Sequence, residues 1–125
     1  MARAIPIGTS KELQVTSTAD MGVPHLGPRG QVVSTPAMIQ LMEQASLQSI
    51  APYLEENENS VGTKVCVSHT AAARIPSTVT VRSRLTEFTG RRYLFEVEAY
   101  NEEGKKMGDG THERAIINME RFGGA

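Results

Sequence analysis

The chain alternates between two hydrophobic periods. In residues 11–19, Lys-Glu-Leu-Gln-Val-Thr-Ser-Thr-Ala, the apolar positions Leu13, Val15 and Ala19 share one parity, as on a half-buried strand. Residues 20–31 then gather Gly22, Pro24, Gly27, Pro28 and Gly30, which favour turns and exclude a regular helix or a central strand. That segment reads as a surface loop of the kind that serves as a lid. From Thr35 the period becomes helical. Pro36 suits the first helical position and pushes its predecessor out of the helical region, so Thr35 is the expected N-cap. Apolar residues from Ala37 and Met38 through Leu47 and Ile50 lie nearly all round this helix, which Pro52 ends near Ala51.

Beyond a Glu-Glu-Asn-Glu-Asn loop, four segments at about 60–73, 78–88, 91–101 and 105–120 alternate with period two between short turns, the pattern of an antiparallel meander. One apolar face is expected on each: Val79, Val81 and Leu85, then Tyr93, Phe95, Val97 and Ala99, then Met107, Ala115, Ile117 and Met119. A strand, a buried helix and four strands pack most economically as one antiparallel sheet wrapped round the helix, an α+β fold. With 125 residues, 39% of them apolar, the chain is long enough for one core and too short for two ordinary domains, so residues 1–125 are read as one domain.

Charge adds little to this picture. Thirteen basic residues face 14 acidic ones, and a net charge of −1 gives no footprint for nucleic acid or an anionic membrane. No apolar run of signal-peptide length opens the chain and none reaches the length of a membrane span, so the cytoplasm is the expected compartment. Cys66 is the single cysteine, and with three scattered histidines it shows no zinc spacing; no metal and no other cofactor is expected.

The candidate chemistry begins at Glu43, the single formal charge within residues 36–54. A carboxylate on a mostly buried helix is costly unless paired. It is either a base, an orienting group or a water-binding group, or else a charge emerging at a subunit edge or paired with an arginine. In Val61-Gly62-Thr63-Lys64-Val65-Cys66-Val67-Ser68-His69, strict alternation puts His69 on the face of Val61, Val65 and Val67, beside the core, and Cys66 on the other. His69 is a proton acceptor or a satisfied structural histidine. Thr35 supplies a hydroxyl where the helix dipole favours negative charge, or it caps the Met38 amide. Thr35 and Glu43 are separated by about 12 Å of helix rise and about 80° of rotation, so a triad needs His69 between them or groups from two subunits. Gly62 marks either a close ligand approach or a bulge. Arg114 pairs with a ligand phosphate, with Glu43, or with water.

Taken together, Ser34-Thr35-Pro36 through Leu41-Met42-Glu43, Ala51-Pro52-Tyr53-Leu54, Ser60-Val61-Gly62-Thr63, Val67-Ser68-His69-Thr70-Ala71-Ala72 and Gly110-Thr111-His112-Glu113-Arg114-Ala115 resemble the fluoroacetyl-CoA thioesterase family of hotdog proteins. The resemblance implies a hotdog homodimer, or a higher homo-oligomer, that hydrolyses an acyl-CoA thioester. Its Thr, Glu and His group falls at Thr35, Glu43 and His69, with Gly62 and Arg114 as substrate neighbours. It departs from the family in the lid: the fluoroacetyl-selective members carry phenylalanines there, and this chain has no Phe before Phe88, so that selectivity is not implied. The rival readings are a hotdog acyl-thioester hydratase or dehydratase, and a non-catalytic CoA-thioester-binding protein.

Overall fold

The structure is a computed structural model that describes residues 4–123. Its elements are β1 (Ser10–Thr16), α1 (Thr35–Ile50), β2 (Glu58–His69), β3 (Thr78–Phe88), β4 (Tyr93–Tyr100), β5 (Lys106–Asn118) and a short α2 (Met119–Gly123). The five strands form one antiparallel sheet in the order β1-β3-β4-β5-β2. α1 packs against β1, β2, β3 and β4, as expected for a sheet wrapped round a helix.

Alternation on β3 and β4 builds the core between them. Val79, Val81 and Leu85 from β3, and Tyr93, Phe95, Val97 and Ala99 from β4, are buried against Met38, Leu41, Met42, Ala45 and Ile50 of α1. Where that face carries a polar residue, the helix answers it. Ser83 meets Ser46, their hydroxyls 2.7 Å apart, so neither is left unsatisfied in the core. The opposite face is charged and solvated, with pairs such as Arg82–Glu12 and Arg84–Glu96.

Four expectations need correction. β1 ends at Thr16, and Ala19 is exposed in a single 3-10 turn rather than on the strand face. Ser17 is buried instead, its hydroxyl accepting the Ser77 amide at 2.9 Å, so a satisfied polar group takes the place expected for an apolar one. Only β3, β4 and β5 form a meander, because β2 crosses to the far edge of β5 instead of pairing with β3. Alternation reports that a segment is a strand, not which strand it pairs with.

The third and fourth corrections concern parity. On β2, Thr63 is an extra residue between Gly62 and Lys64, so Gly62 pairs with Arg114 while Val65, Val67 and His69 pair with His112, Gly110 and Gly108. Residues directly opposite share a face, so Ser60 and Gly62 turn toward the helix with Val65, Val67 and His69, and Val61 turns away. On β5 the register shifts between Ala99 and Tyr100 of β4, and the inner face runs through Gly108, Gly110, His112, Arg114 and Ile116. Met107 is buried as expected, but Ala115 and Ile117 are half-buried and Met119, 44% exposed, opens α2. The inner face of β5 is thus small and polar beside an otherwise apolar core.

At Gly110, β5 and β2 leave no room for a side chain: φ is +157°, and a Cβ would lie 2.1 Å from the Cys66 carbonyl oxygen. Gly110→Ala is expected to destabilise the fold by about 1–3 kcal/mol through overpacking. The check is the urea midpoint at matched protein concentration, and an unchanged midpoint would mean that the two strands separate here at no cost.

Candidate active site

Two consecutive hydroxyl residues precede the proline of α1, and they divide the work. Ser34 is extended (φ −73°, ψ 158°), its Oγ accepts the Ala37 amide at 3.2 Å, and its carbonyl accepts the Met38 amide at 3.0 Å. Ser34, not Thr35, is therefore the N-cap. Thr35 stands in the first turn with its hydroxyl released from capping. Its Oγ1 lies 2.7 Å from Nδ1 of His69, at the C-terminal end of β2. Thr35 is exposed and His69 half-buried, so solvent-borne molecules reach this pair beside the positive end of the helix dipole.

Glu43, half-buried two turns further along α1, belongs to a second cluster. A Cβ on Gly62 would sit 3.0 Å from His112 Cε1, 3.4 Å from Glu43 Oε1 and 3.6 Å from Arg114 Nη1, so a carboxylate, an imidazole and a guanidinium converge on the space that this glycine leaves open. Arg114 is buried, 4% exposed, which excludes the solvated side chain considered from the sequence. Its Nε donates to Ser60 Oγ at 2.9 Å, Nη2 to the Ser60 carbonyl at 3.0 Å, and Nη1 reaches His112 Nε2 at 3.1 Å. His112, 1% exposed, reaches the Lys64 carbonyl through Nδ1 at 2.9 Å. Burial holds the His112 pKa below its ordinary 6.5, against the Lys64 hydrogen bond, and Arg114 adds to the lowering while Glu43 and Glu113 oppose it. Burial also lowers Arg114, which Glu43 counteracts.

Of the residues named from the sequence, the fold joins Thr35 to His69, and Glu43 to Gly62 and Arg114. It does not join the two groups: among the described residues no hydrogen bond or ion pair links Glu43 to His69 or Thr35 within the chain. Cys66 is exposed, on the face away from His69. The residue missed by sequence reasoning is His112. Its signal was the spacing to Arg114 at i+2, which places both on one strand face, but an apolar inner face was expected at the opposite parity. Among the described residues no group of three or more His, Cys, Asp or Glu is placed to hold a metal, and no helix is long and apolar enough to cross a membrane.

The FlK family model, described as fluoroacetyl-CoA-specific thioesterase, matches residues 11–120. The fluoroacetyl-CoA thioesterase of Streptantibioticus cattleyicolor is 43% identical over 99 residues, which is 79% of this chain and 70% of that one. The solved structure of the fluoroacetyl-CoA thioesterase FlK superposes with a TM-score of 0.87 at 36% identity, covering 98% of this chain and 95% of its own. A thioesterase superfamily member from Thermus thermophilus gives 0.89 at 35% identity, covering 98% and 90%. The chain thus belongs to the FlK family, thioester hydrolases of the hotdog fold.

Proposed function

We propose that this chain hydrolyses a small acyl-CoA to free CoA and a carboxylic acid, with Thr35, His69 and Glu43 as its reacting group completed across a homodimer. The observation that carries the reading is the 2.7 Å contact between Thr35 Oγ1 and His69 Nδ1 at the helix N-terminus. A hydroxyl that approaches an unprotonated Nδ1 donates to it, leaving the imidazole proton on Nε2 and free to face a carboxylate. In that tautomer His69 accepts the proton of Thr35 as Oγ1 attacks the thioester carbon. The tetrahedral oxyanion forms beside the helix dipole, and its collapse expels the CoA sulfur, which takes the proton from His69. Water then hydrolyses the acyl-threonine with His69 again as base. Direct attack by a water held at Thr35 uses the same proton transfer.

The carboxylate comes from the second copy in this reading. β2 is an edge strand with one side unpaired among the described residues. Antiparallel pairing of two β2 edges about a twofold axis midway between Gly62 and His69 sets Gly62 of one copy opposite His69 of the other. Since Glu43 packs beside Gly62 in its own chain, it arrives at the other copy's His69. Gly62 and Arg114 then border the acyl group. The loop before α1 offers Met21, Val23 and Leu26 rather than aromatic side chains, so the acyl group is not fluoroacetyl in particular. The same reading places the enzyme in the cytoplasm, where a lone cysteine such as Cys66 stays a thiol.

The first test is free-thiol release from a panel of acyl-CoAs, from acetyl to medium-chain and aryl groups. Native protein is expected to turn over, and His69→Ala to lose roughly a hundredfold or more in kcat. Equal rates would remove His69 from the mechanism, and no thiol from any substrate would move the site to hydration chemistry or to binding alone. The second test purifies, through two affinity tags, the heterodimer of His69→Ala with Glu43→Ala. One of its two sites regains both groups if Glu43 acts across the interface, restoring about half the native rate. A heterodimer as inactive as its parents would place the whole group within one chain.

A further inference from the structure

A guanidinium buried beside a histidine, with no carboxylate in direct contact, needs an acceptor for each donor it points inward. Arg114 gives Nε and Nη2 to Ser60, which leaves Nη1 for His112 Nε2. Both His112 contacts limit its state. The Lys64 carbonyl accepts only, so Nδ1 carries the proton, and an arginine donates only, so Nε2 must be a bare lone pair. Neutral imidazole protonated at Nδ1 is the one form that satisfies both. Phe95 stacks near the ring at 6.1 Å between centroids, and the edge atom Cε1 borders the space above Gly62. Each neighbour therefore fixes the orientation of this ring.

We propose that His112 is a positioning residue for the acyl site: it aims Arg114 by accepting one Nη1 proton, so that the second Nη1 proton points into the space above Gly62. The inference rests on Arg114 bordering the substrate, and it adds a residue whose effect runs through the guanidinium rather than through the reacting atoms. Replacing His112 by leucine keeps much of the volume and removes the acceptor, leaving Nη1 free to swing toward Glu43. Glutamine returns an acceptor at the position of Nε2. The charged groups facing His112 are Arg114 and Glu113 from β5 and Glu43 from α1; β2 presents the Lys64 carbonyl and β4 the uncharged Phe95. A proton added to Nε2 replaces the acceptor with a donor against Arg114, so acid detaches the guanidinium, and burial delays that step to pH values below the ordinary 6.5.

The test combines steady-state kinetics on the intact protein with imidazole ¹⁵N spectra. His112→Leu is expected to raise KM for the preferred acyl-CoA about tenfold with kcat within about twofold, and His112→Gln to recover most of that. On an Arg114→Met background, His112→Leu is expected to add nothing, because it acts through the guanidinium. An additive double variant, or an unchanged KM in His112→Leu while Arg114→Met raises it, overturns the positioning role alone. An unchanged KM in Arg114→Met overturns the substrate-neighbour reading, and this inference with it. Should the leucine variant not fold, the spectra of the native protein decide: a neutral His112 protonated at Nδ1 with a midpoint below 6.5 supports the proposal, and a proton on Nε2 at neutral pH overturns it.

Discussion

A strand sends side chains alternately to its two faces, so residues seven apart on a regular strand cannot face the same side. Gly62 and His69 are seven apart on β2, and both face α1. The extra residue Thr63 is what reconciles the two facts. Without it, Ser60 and Gly62 would turn to solvent, Arg114 would lose the acceptors that make its burial tolerable, and Glu43 would face a side chain instead of an open space. The whole polar half of the helix-side face depends on one bulged position.

The other end of the site depends on a comparable division of labour. A helix that begins at a proline needs an extended residue with a side-chain oxygen ahead of it, and Ser34 fills that need. Because the capping requirement is met there, the hydroxyl of Thr35 remains available for His69. Had Thr35 been the cap, its oxygen would have been committed to a backbone amide. Two adjacent hydroxyls thus separate the capping of the helix from the hydroxyl–imidazole contact at its end, and the same helix carries Glu43 two turns away into the other cluster.

These two local irregularities explain what was legible beforehand and what was not. The buried helix, the pairing-competent strands and the residue types of the site followed from periodicity, proline placement and an isolated carboxylate, all properties of neighbouring positions. Val79 to Leu85 and Tyr93 to Ala99 faced the core as their alternation required. Val61 did not share the face of His69, and Ala115, Ile117 and Met119 did not form the inner face of β5, because one extra residue inverts the parity of everything after it. His112 was hidden for the same reason. Its burial is set by a register shift between β4 and β5, so the i+2 spacing to Arg114 shows that the two share a face but not that this face is the inner one.

The arrangement leaves one imbalance that a single chain does not resolve. Glu43 influences Arg114 and His112 through space, yet no hydrogen bond or ion pair within the described residues holds its carboxylate, while His69 presents its second nitrogen away from Thr35. A half-buried carboxylate without a close partner is costly, and a histidine base without an orienting acceptor is poorly defined. In the proposed dimer, pairing of two β2 edges would bring these two groups together and relieve both defects. Dimerisation, on this view, does more than cover an open sheet edge: it links the Arg114 side of one chain to the Thr35 side of the next. In that proposal each Thr35–His69 pair would be oriented by a carboxylate whose own position is set by the polar network of the neighbouring subunit. The proposed dimer would couple acyl-group recognition to proton transfer through the interface rather than along either chain.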